Sequence, residues 1–567
     1  MIRIVPLLAT CLLVSPSLAL AAQPTEHPLA GTWKVTVLPR GAELTLWLVQ
    51  LSEKDGKLEG KIVATAFPEF KGTRIKDLKL ENNILRLTLE ANDVAYDVVG
   101  VIPKGESQPK SFLGSNGALG RRDLVRFDRT DAKALTPETA QVLGGPAAEA
   151  FDRAYSTADP KEREAAFREI IKKFAGHPVA FHAAMQLVEQ LALQASPDSV
   201  IRQQADEAVK LAEPYGREMQ LQATTQIAQQ LVRSDKYASL GVTYAEQAER
   251  MLQPSDSAMV QGRILKALVA GLAKAGNASA VKDAEARLEK INARIDEEYL
   301  KTALPFKPEK YAGREGKSQR TLLLELFTGT QCPPCVAADL ACDALLQRYA
   351  PSEVVLLQYH LHIPGPDPLT SPDGEKRALY YLVDGTPVLF INGQEGPSVA
   401  GFRPDARDRF QALRRTLDAR LEGEPGAKLQ LSASRQGSLV DVQVKYDDLK
   451  RAGDEVKLRI ALVEDRVRYA APNGQRFHYQ VVRGFVGGVA GTPLKTKSGM
   501  HAATIDTDQL RTSLGRYLTE FGKVARLPDD ERPLDLKRLK VVAFIQDDKS
   551  REVFQAAQVD VPTEGSQ

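Results

Sequence analysis

The sequence predicts a multidomain α+β protein, and three observations predict it. Segments that alternate apolar and polar residues run from residue 30 to residue 131, helix-period segments come next, and a mixed strand–helix stretch then leads into a second strand-rich region. The resulting bounds are 30–131 for an N-terminal β-barrel or meander, 135–305 for a helical-hairpin region, 321–424 for an α/β domain and 427–563 for a β-sandwich. At 567 residues the chain has room for that many folding units.

The chain opens MIRIVPLLATCLLVSPSLALAAQP. Arg3 gives a positive start, Ile4 to Val14 is apolar, and Ala19-Leu20-Ala21 is a small-x-small cleavage site, so residues 1–21 read as a secretory signal peptide. Cys11 falls inside it, and Thr10 before that cysteine argues against a lipoprotein site. Elsewhere the sequence holds no apolar run near the roughly 18 residues that span a bilayer. The expectation is a soluble protein exported to the periplasm or envelope of a bacterium, where thiols can be oxidised. A net charge of +2, with 43% hydrophobic and 26% charged residues, gives no case for nucleic acid or an anionic membrane as partner.

In the first β region, TWKVTVL, ELTLWLVQL, KLEGKIVAT, RIKDLKLE and ILRLTLE are divided by turn signals such as Asp55-Gly56 and Asn82-Asn83. Regularity of this kind means a small barrel or sandwich. Gly31-x-Trp33 resembles the opening of a lipocalin-type barrel. From Pro137 to Ala303 almost every segment is helical, and alanines recur where neighbouring helices would touch, an arrangement similar to tetratricopeptide-like helix pairs. Lys307 to Arg320 is a polar linker.

The residues that carry chemistry begin beyond that linker. RTLLLELFTG is an apolar strand, Cys332-Pro-Pro-Cys335 precedes a helix from Val336 to Ala350, and EVVLLQYHLHI is a second buried strand. A helical piece from Glu375 to Leu382 then leads to GTPVLFINGQ, a strand opening on Thr386-Pro387. This order resembles a thioredoxin fold over 322–420, and FTGTQCPPC with TPVLFINGQ is more similar to exported bacterial thioredoxin-like proteins than to thioredoxin itself. The insert HLHIPGPDPLTSPDG, with ALVED, VVRGFVGG and VVAFIQD downstream, resembles an outer-membrane-protein-like family that joins a thioredoxin fold to a β-sandwich tail.

The resemblance implies a thiol–disulfide oxidoreductase acting on protein thiols, disulfides or a redox partner protein, with no cofactor and no metal. Cys332 would be the nucleophile, capping the helix where backbone N–H groups and the helix dipole favour a thiolate. Cys335, buried one turn in, would resolve the mixed disulfide, so the two form a redox disulfide. Pro387 would be cis, setting the backbone of Thr386 beside the sulfurs to pair with a substrate chain. Two features depart from thioredoxin: Gln331 stands where it has tryptophan, and Leu326 where it has a buried aspartate. Glu325 is adjacent to that position, but strand alternation turns it to the other face.

Accessory roles are open for Glu325, His360 and His362. Both histidines lie near the end of a strand whose C-terminal edge faces the cysteines, with one expected to pack and the other to be solvated. Two thiolates with imidazole would suit Cu(I), which makes a copper carrier the second reading and a redox-inactive scaffold the third. Cys342 is about 10 Å of helix rise beyond Cys335, outside disulfide reach, and reads as a small buried hydrophobe.

Overall fold

The computed structural model describes residues 27–40, 42–91, 94–106, 108–118, 121–529 and 531–563. The signal-peptide reading of residues 1–21, Cys11 included, lies outside them. The chain divides into two units, the first ending at Leu288 and the second starting at Glu289.

The first unit starts with an antiparallel meander of Gly31–Val37, Ala42–Lys54, Lys57–Ala64, Arg74–Glu81, Ile84–Ala91, Val94–Val101, Ser111–Ala118 and Arg121–Thr130. The first strand pairs with both the second and the last, which curls the sheet into a near-barrel. Alternation decides which face is inside: along Ile84–Ala91, Leu85, Leu87 and Leu89 are buried and the residues between them are less so. Trp33 and Trp47 anchor the interior, the first packed on Phe112 and the second on Phe70 and Tyr96. The Gly-x-Trp spacing has a local cause. The Arg129 guanidinium lies 4.6 Å from the Trp33 ring centroid. Gly31 sits at φ +128°, and a Cβ there would meet Arg129 Nη1 at 2.6 Å.

After a short helix, Pro137–Ala140, and a strand, Gln141–Leu143, that pairs with the second strand, longer helices follow, among them Pro146–Ser156, Pro160–Lys173, Pro178–Leu193, Asp198–Leu211 and Arg217–Leu231. Asp159 caps the second of these by accepting from the amides of Lys161 and Glu162, with Pro160 at its first position. Ala183, Ala184, Ala205, Ala208, Ala223 and Ala228 are fully buried, so small side chains let the helices close on one another. The helices also grip the barrel: Gln222 accepts from the Arg122 amide at 2.8 Å and donates to its carbonyl at 2.7 Å. The helix Ala278–Thr302 carries the chain into the second unit.

In that unit, Leu322–Thr328 runs parallel to Val354–His360 and antiparallel to Val388–Ile391. The helices Cys335–Arg348, Pro372–Tyr381 and Ala406–Leu421 complete the thioredoxin-like α/β arrangement. Its sheet does not end there. Val354–His360 pairs in parallel with Phe477–Phe485 through Gln358 and Val481. Gly453–Arg468, Leu539–Asp547 and Val553–Asp560 then extend the same nine-stranded sheet. A three-stranded sheet of Lys428–Gln436, Leu439–Asp447 and Gly499–Asp506 packs on this extension. Val440, Val442 and Val444, alternating along the middle strand, meet Leu458, Ile460 and Val541 in one core. The cysteine-bearing region and the sandwich therefore share a sheet. Among the described residues no helix is long and apolar enough to cross a membrane.

Candidate functional site

Two cores set the faces of the cysteine region. Leu322, Leu324 and Leu326 pack with Ala338, Ala341 and Cys342 of the following helix, whereas Leu323 and Phe327 pack with Tyr359 and Tyr381 on the opposite side. The end of the strand delivers the chain to Gly329, Thr330 and Gln331, and then to Cys332. Cys332 and Cys335 form a disulfide. Cys332 is only 1% exposed and Cys335 is fully buried.

The helix begins at Cys335, one residue before the expected Val336, and Pro334 rather than Cys332 stands at its cap position. Two adjacent prolines have no N–H to give, and the chain enters through a tighter turn in which the Cys335 amide bonds to Cys332 O and the Val336 amide to Pro333 O, each at 3.3 Å. The Ala337 amide is taken by Gly401 O at 3.1 Å. Cys332 thus stands one turn ahead of the helix, and first-turn amides expected to face its sulfur are engaged elsewhere.

The Thr386–Pro387 bond is cis, as is Ile363–Pro364. Thr386 O lies 3.6 Å from Cys332 Sγ. Thr386 Oγ1 donates to Ile363 O at 3.2 Å, which fastens that strand start to the insert after the second strand. Thr386 and Pro387 remain half-exposed although the sulfur beside them is buried. The structure therefore brings together four of the sequence-predicted residues: Cys332, Cys335, Thr386 and Pro387.

Glu325 is not among them. It lies on the opposite face, fully buried, accepting from Arg377 Nε at 2.8 Å, Arg377 Nη2 at 2.9 Å, Tyr381 at 2.7 Å and Tyr359 at 2.9 Å. Burial pushes its carboxyl up, but the Arg377 charge and these hydrogen bonds overcome that and hold it below the usual value. Arg377 also donates to Gln546 at 2.7 Å, so the ion pair clamps the α/β layer to the sheet extension.

His362 has both ring nitrogens engaged, whereas His360 engages Nδ1 and leaves its buried Nε2 without a hydrogen-bond partner. His360 is buried, with Nδ1 3.0 Å from Asp367 Oδ2 and its ring 5.1 Å from that of His478. Where one of the two is expected to be solvated, His362 too is half-buried and stacked 3.5 Å from Phe521. Its Nδ1 accepts from the Asp367 amide at 2.9 Å, which leaves Nε2 to carry the proton and face Tyr517 Oη at 3.0 Å. Burial holds the His362 imidazole down to about 4. Among the described residues, no group of three or more His, Cys, Asp or Glu side chains is placed to hold a metal ion.

Several residues at this site gave no signal in the sequence. Asp367, fully buried in the insert, accepts from the Thr330 amide at 2.7 Å and the Leu369 amide at 2.8 Å, fixing the backbone just before the cysteines. Asp339 lies one helical turn past Cys335, on the same face. It is buried, and burial pushes its carboxyl up to about 6. Asn473 and Gln475, from the tip of the hairpin Gly453–Arg468/Phe477–Phe485, reach over to the site. The Asn473 amide donates to Thr330 O at 3.0 Å and its Nδ2 to Gly329 O at 3.4 Å and Cys332 O at 3.5 Å. Gln475 Nε2 donates to Asp339 Oδ2 at 2.8 Å. Cys342 is a free, fully buried thiol, which burial and then the nearby Asp339 and Asp343 push well up.

No protein-family model matches the chain, and no curated protein matches it. Among solved structures it is similar to HBP35 of Porphyromonas gingivalis, at 13% identity over 45% of this chain and 80% of that one, with a TM-score of 0.31. So loose an overlap carries no argument. Fold and chemistry rest on the chain's own geometry, in which a closely spaced disulfide sits where a strand, a helix and an X-Pro strand start converge.

Proposed function

We propose that this protein is an exported thiol–disulfide oxidoreductase that exchanges disulfides with other proteins through Cys332 and Cys335. The observation that carries the reading is the disulfide at the head of the Cys335–Arg348 helix, with the Thr386 carbonyl 3.6 Å from the Cys332 sulfur. In the reduced protein the Cys332 thiolate attacks one sulfur of a substrate disulfide. A Cys332–substrate bond forms, the substrate S–S bond breaks, and the departing thiolate takes a proton from solvent. Cys335, once deprotonated, attacks Cys332 Sγ, closing the intramolecular disulfide and releasing the second substrate thiol. The protein loses two electrons and the substrate gains them; run backward, the same steps oxidise a substrate dithiol. Thr386, with Pro387 holding its backbone, supplies the edge along which the substrate chain lies.

The scaffold reading keeps one observation in its favour, the near-complete burial of Cys332. The copper reading keeps the unpartnered Nε2 of buried His360, but His362 has both ring nitrogens engaged and His360 Nδ1 faces Asp367. A Cys335→Ser variant, expressed with its leader in a bacterium and recovered from the export compartment, tests the three. Exchange predicts mixed disulfides at Cys332 that a reductant releases. Partners retained by a protein lacking both cysteines would favour the scaffold, and one tightly held Cu(I) per chain the carrier.

A further inference from the structure

The hairpin tip from Tyr469 to Arg476 is built as a closed object. The Ala471 amide bonds to Gln475 O at 2.8 Å, and the Gly474 amide to Ala471 O at 3.0 Å. The Gln475 amide bonds to Asn473 Oδ1 at 3.2 Å. Gly474, at φ +92°, makes the reversal a side chain would resist. Its base is pinned by Asp296, which accepts from Arg468 Nε at 2.6 Å and from Arg476 at 2.6 and 2.8 Å. What the tip reaches is the chain around Cys332. Asn473 takes the carbonyls of Gly329, Thr330 and Cys332, and Gln475 takes Asp339.

These contacts set up a conflict. Thr386 and Pro387 are half-buried and keep some surface for an incoming chain, but Cys332, which the chain must reach, is 1% exposed. A thiolate cannot be attacked, or attack, while its residue is buried, and the tip is bonded to the backbone that carries this one. The bonds from the tip to the Cys332 segment are few, and the two Asn473 side-chain bonds are long at 3.4 and 3.5 Å. Pro472 and Gly474 at the turn are exposed and Asn473 is half-buried, the setting in which local opening starts, whereas Tyr469 and Gln475 are buried.

We propose that the Tyr469–Arg476 hairpin tip is a cap over the Cys332–Cys335 pair, and that it must lift from the Gly329–Cys332 backbone before a protein substrate can form a mixed disulfide. The inference rests on the exchange reading for its biological purpose, but not for its test. In the capped state small reductants reach the sulfurs slowly and folded proteins hardly at all. Lifting the tip exposes Cys332 beside the Thr386 edge and removes Gln475 from Asp339 in the same movement.

The full-length protein, reduced and desalted, is reacted with iodoacetamide and with a bulky polyethylene-glycol maleimide, and labelling at Cys332 is timed by mass spectrometry. Wild type should react with the bulky reagent far more slowly than the urea-unfolded chain. Asn473→Ala, Gln475→Ala or both should speed it by about tenfold, the scale of losing one or two hydrogen bonds from the closed state. A second measurement needs no cap variant. In Cys335→Ser protein carrying a small aromatic disulfide on Cys332, the Asn473 amide should exchange hydrogen at least tenfold faster than in the unmodified Cys335→Ser protein. Bulky labelling of wild type as fast as in the unfolded chain would overturn the cap. So would unchanged rates in folded variants, or an Asn473 amide equally protected in the adduct. A cap that passes these tests on a protein that traps no substrate would instead sink the exchange reading and leave a shielded disulfide.

Discussion

Gln475 Nε2 donates to Asp339 Oδ2 at 2.8 Å across 136 residues of sequence, tying a hairpin tip to the helix that starts at Cys335. The other oxygen of that carboxyl, Oδ1, is buried without a hydrogen-bond partner. A carboxylate so placed is costly when charged. Burial accounts for most of the rise of the Asp339 carboxyl to about 6; Asp367 adds to it, while His360, Thr328 and Gln475 oppose it.

Because the folded value lies above the unfolded one, the stability that protonated Asp339 contributes is complete below about pH 4 and lost as pH rises through about 6. Asp339→Asn keeps an acceptor for Gln475 and cannot ionise. It should leave stability unchanged at pH 4 and raise it by roughly 1–3 kcal/mol at pH 8. Urea unfolding of both proteins, followed by circular dichroism at the two pH values, checks this. An equal difference at both would show that the carboxyl does not titrate in this range.

The Glu325–Arg377 pair makes a second prediction, of opposite character. Removing one member, as in Arg377→Ala, strands a buried carboxylate and should cost about 3–5 kcal/mol. The double change Glu325→Gln with Arg377→Met removes both charges and should cost clearly less. Both are read from urea midpoints. Because Glu325 faces away from the cysteines, folded double variant should label at Cys332 at the wild-type rate. A cost under about 1 kcal/mol for Arg377→Ala would mean the pair is solvated rather than buried.

Acid should weaken the second unit through its histidines. Burial holds His362 down to about 4, and burial with the neighbouring His360 holds His478 down to about 3, so both are neutral in the folded protein and charge when it unfolds. Depressed folded values mean that their contribution is complete above the unfolded value near 6.5 and is lost as pH falls through 4 to 3. His362→Gln, which retains an acceptor for the Asp367 amide, should make the loss between pH 6.5 and 4 shallower. An acid-unfolding curve superimposable on wild type would remove His362 from the account.

Much of the site's frame is legible in the sequence because it is written locally. Apolar runs mark Leu322–Thr328 and Val354–His360 as strands buried on both faces, and Thr386-Pro387 marks the start of the next. Period-two reasoning likewise sends Glu325 away from the cysteines, toward Arg377. What stays illegible is non-local. Nothing near Asn473 or Gln475 announces a partner some 140 residues earlier, and the bridge between Gln358 and Val481 that fuses the α/β sheet with the sandwich leaves no pattern in either strand. The helix starts within one residue of the expected Val336, but its cap position falls to Pro334 and not to Cys332. The position of Cys332 before two prolines suits a cap, but the chain closes a tight turn there and makes Cys335 the first helical residue. Nor does the sequence say which of the two histidines is covered: Phe521 and Tyr517, on a helix about 155 positions away, fold over His362.

The most direct test of the central claim is the reduction potential of the Cys332–Cys335 pair, read by alkylation and mass spectrometry after equilibration in thiol–disulfide buffers. An exchanging pair should titrate as a two-electron couple between about −120 and −270 mV, the range of disulfide oxidoreductases. The same titration on Asn473→Ala should reach equilibrium sooner. A disulfide that stays closed below about −300 mV, as structural disulfides do, would contradict the account and make the pair a staple.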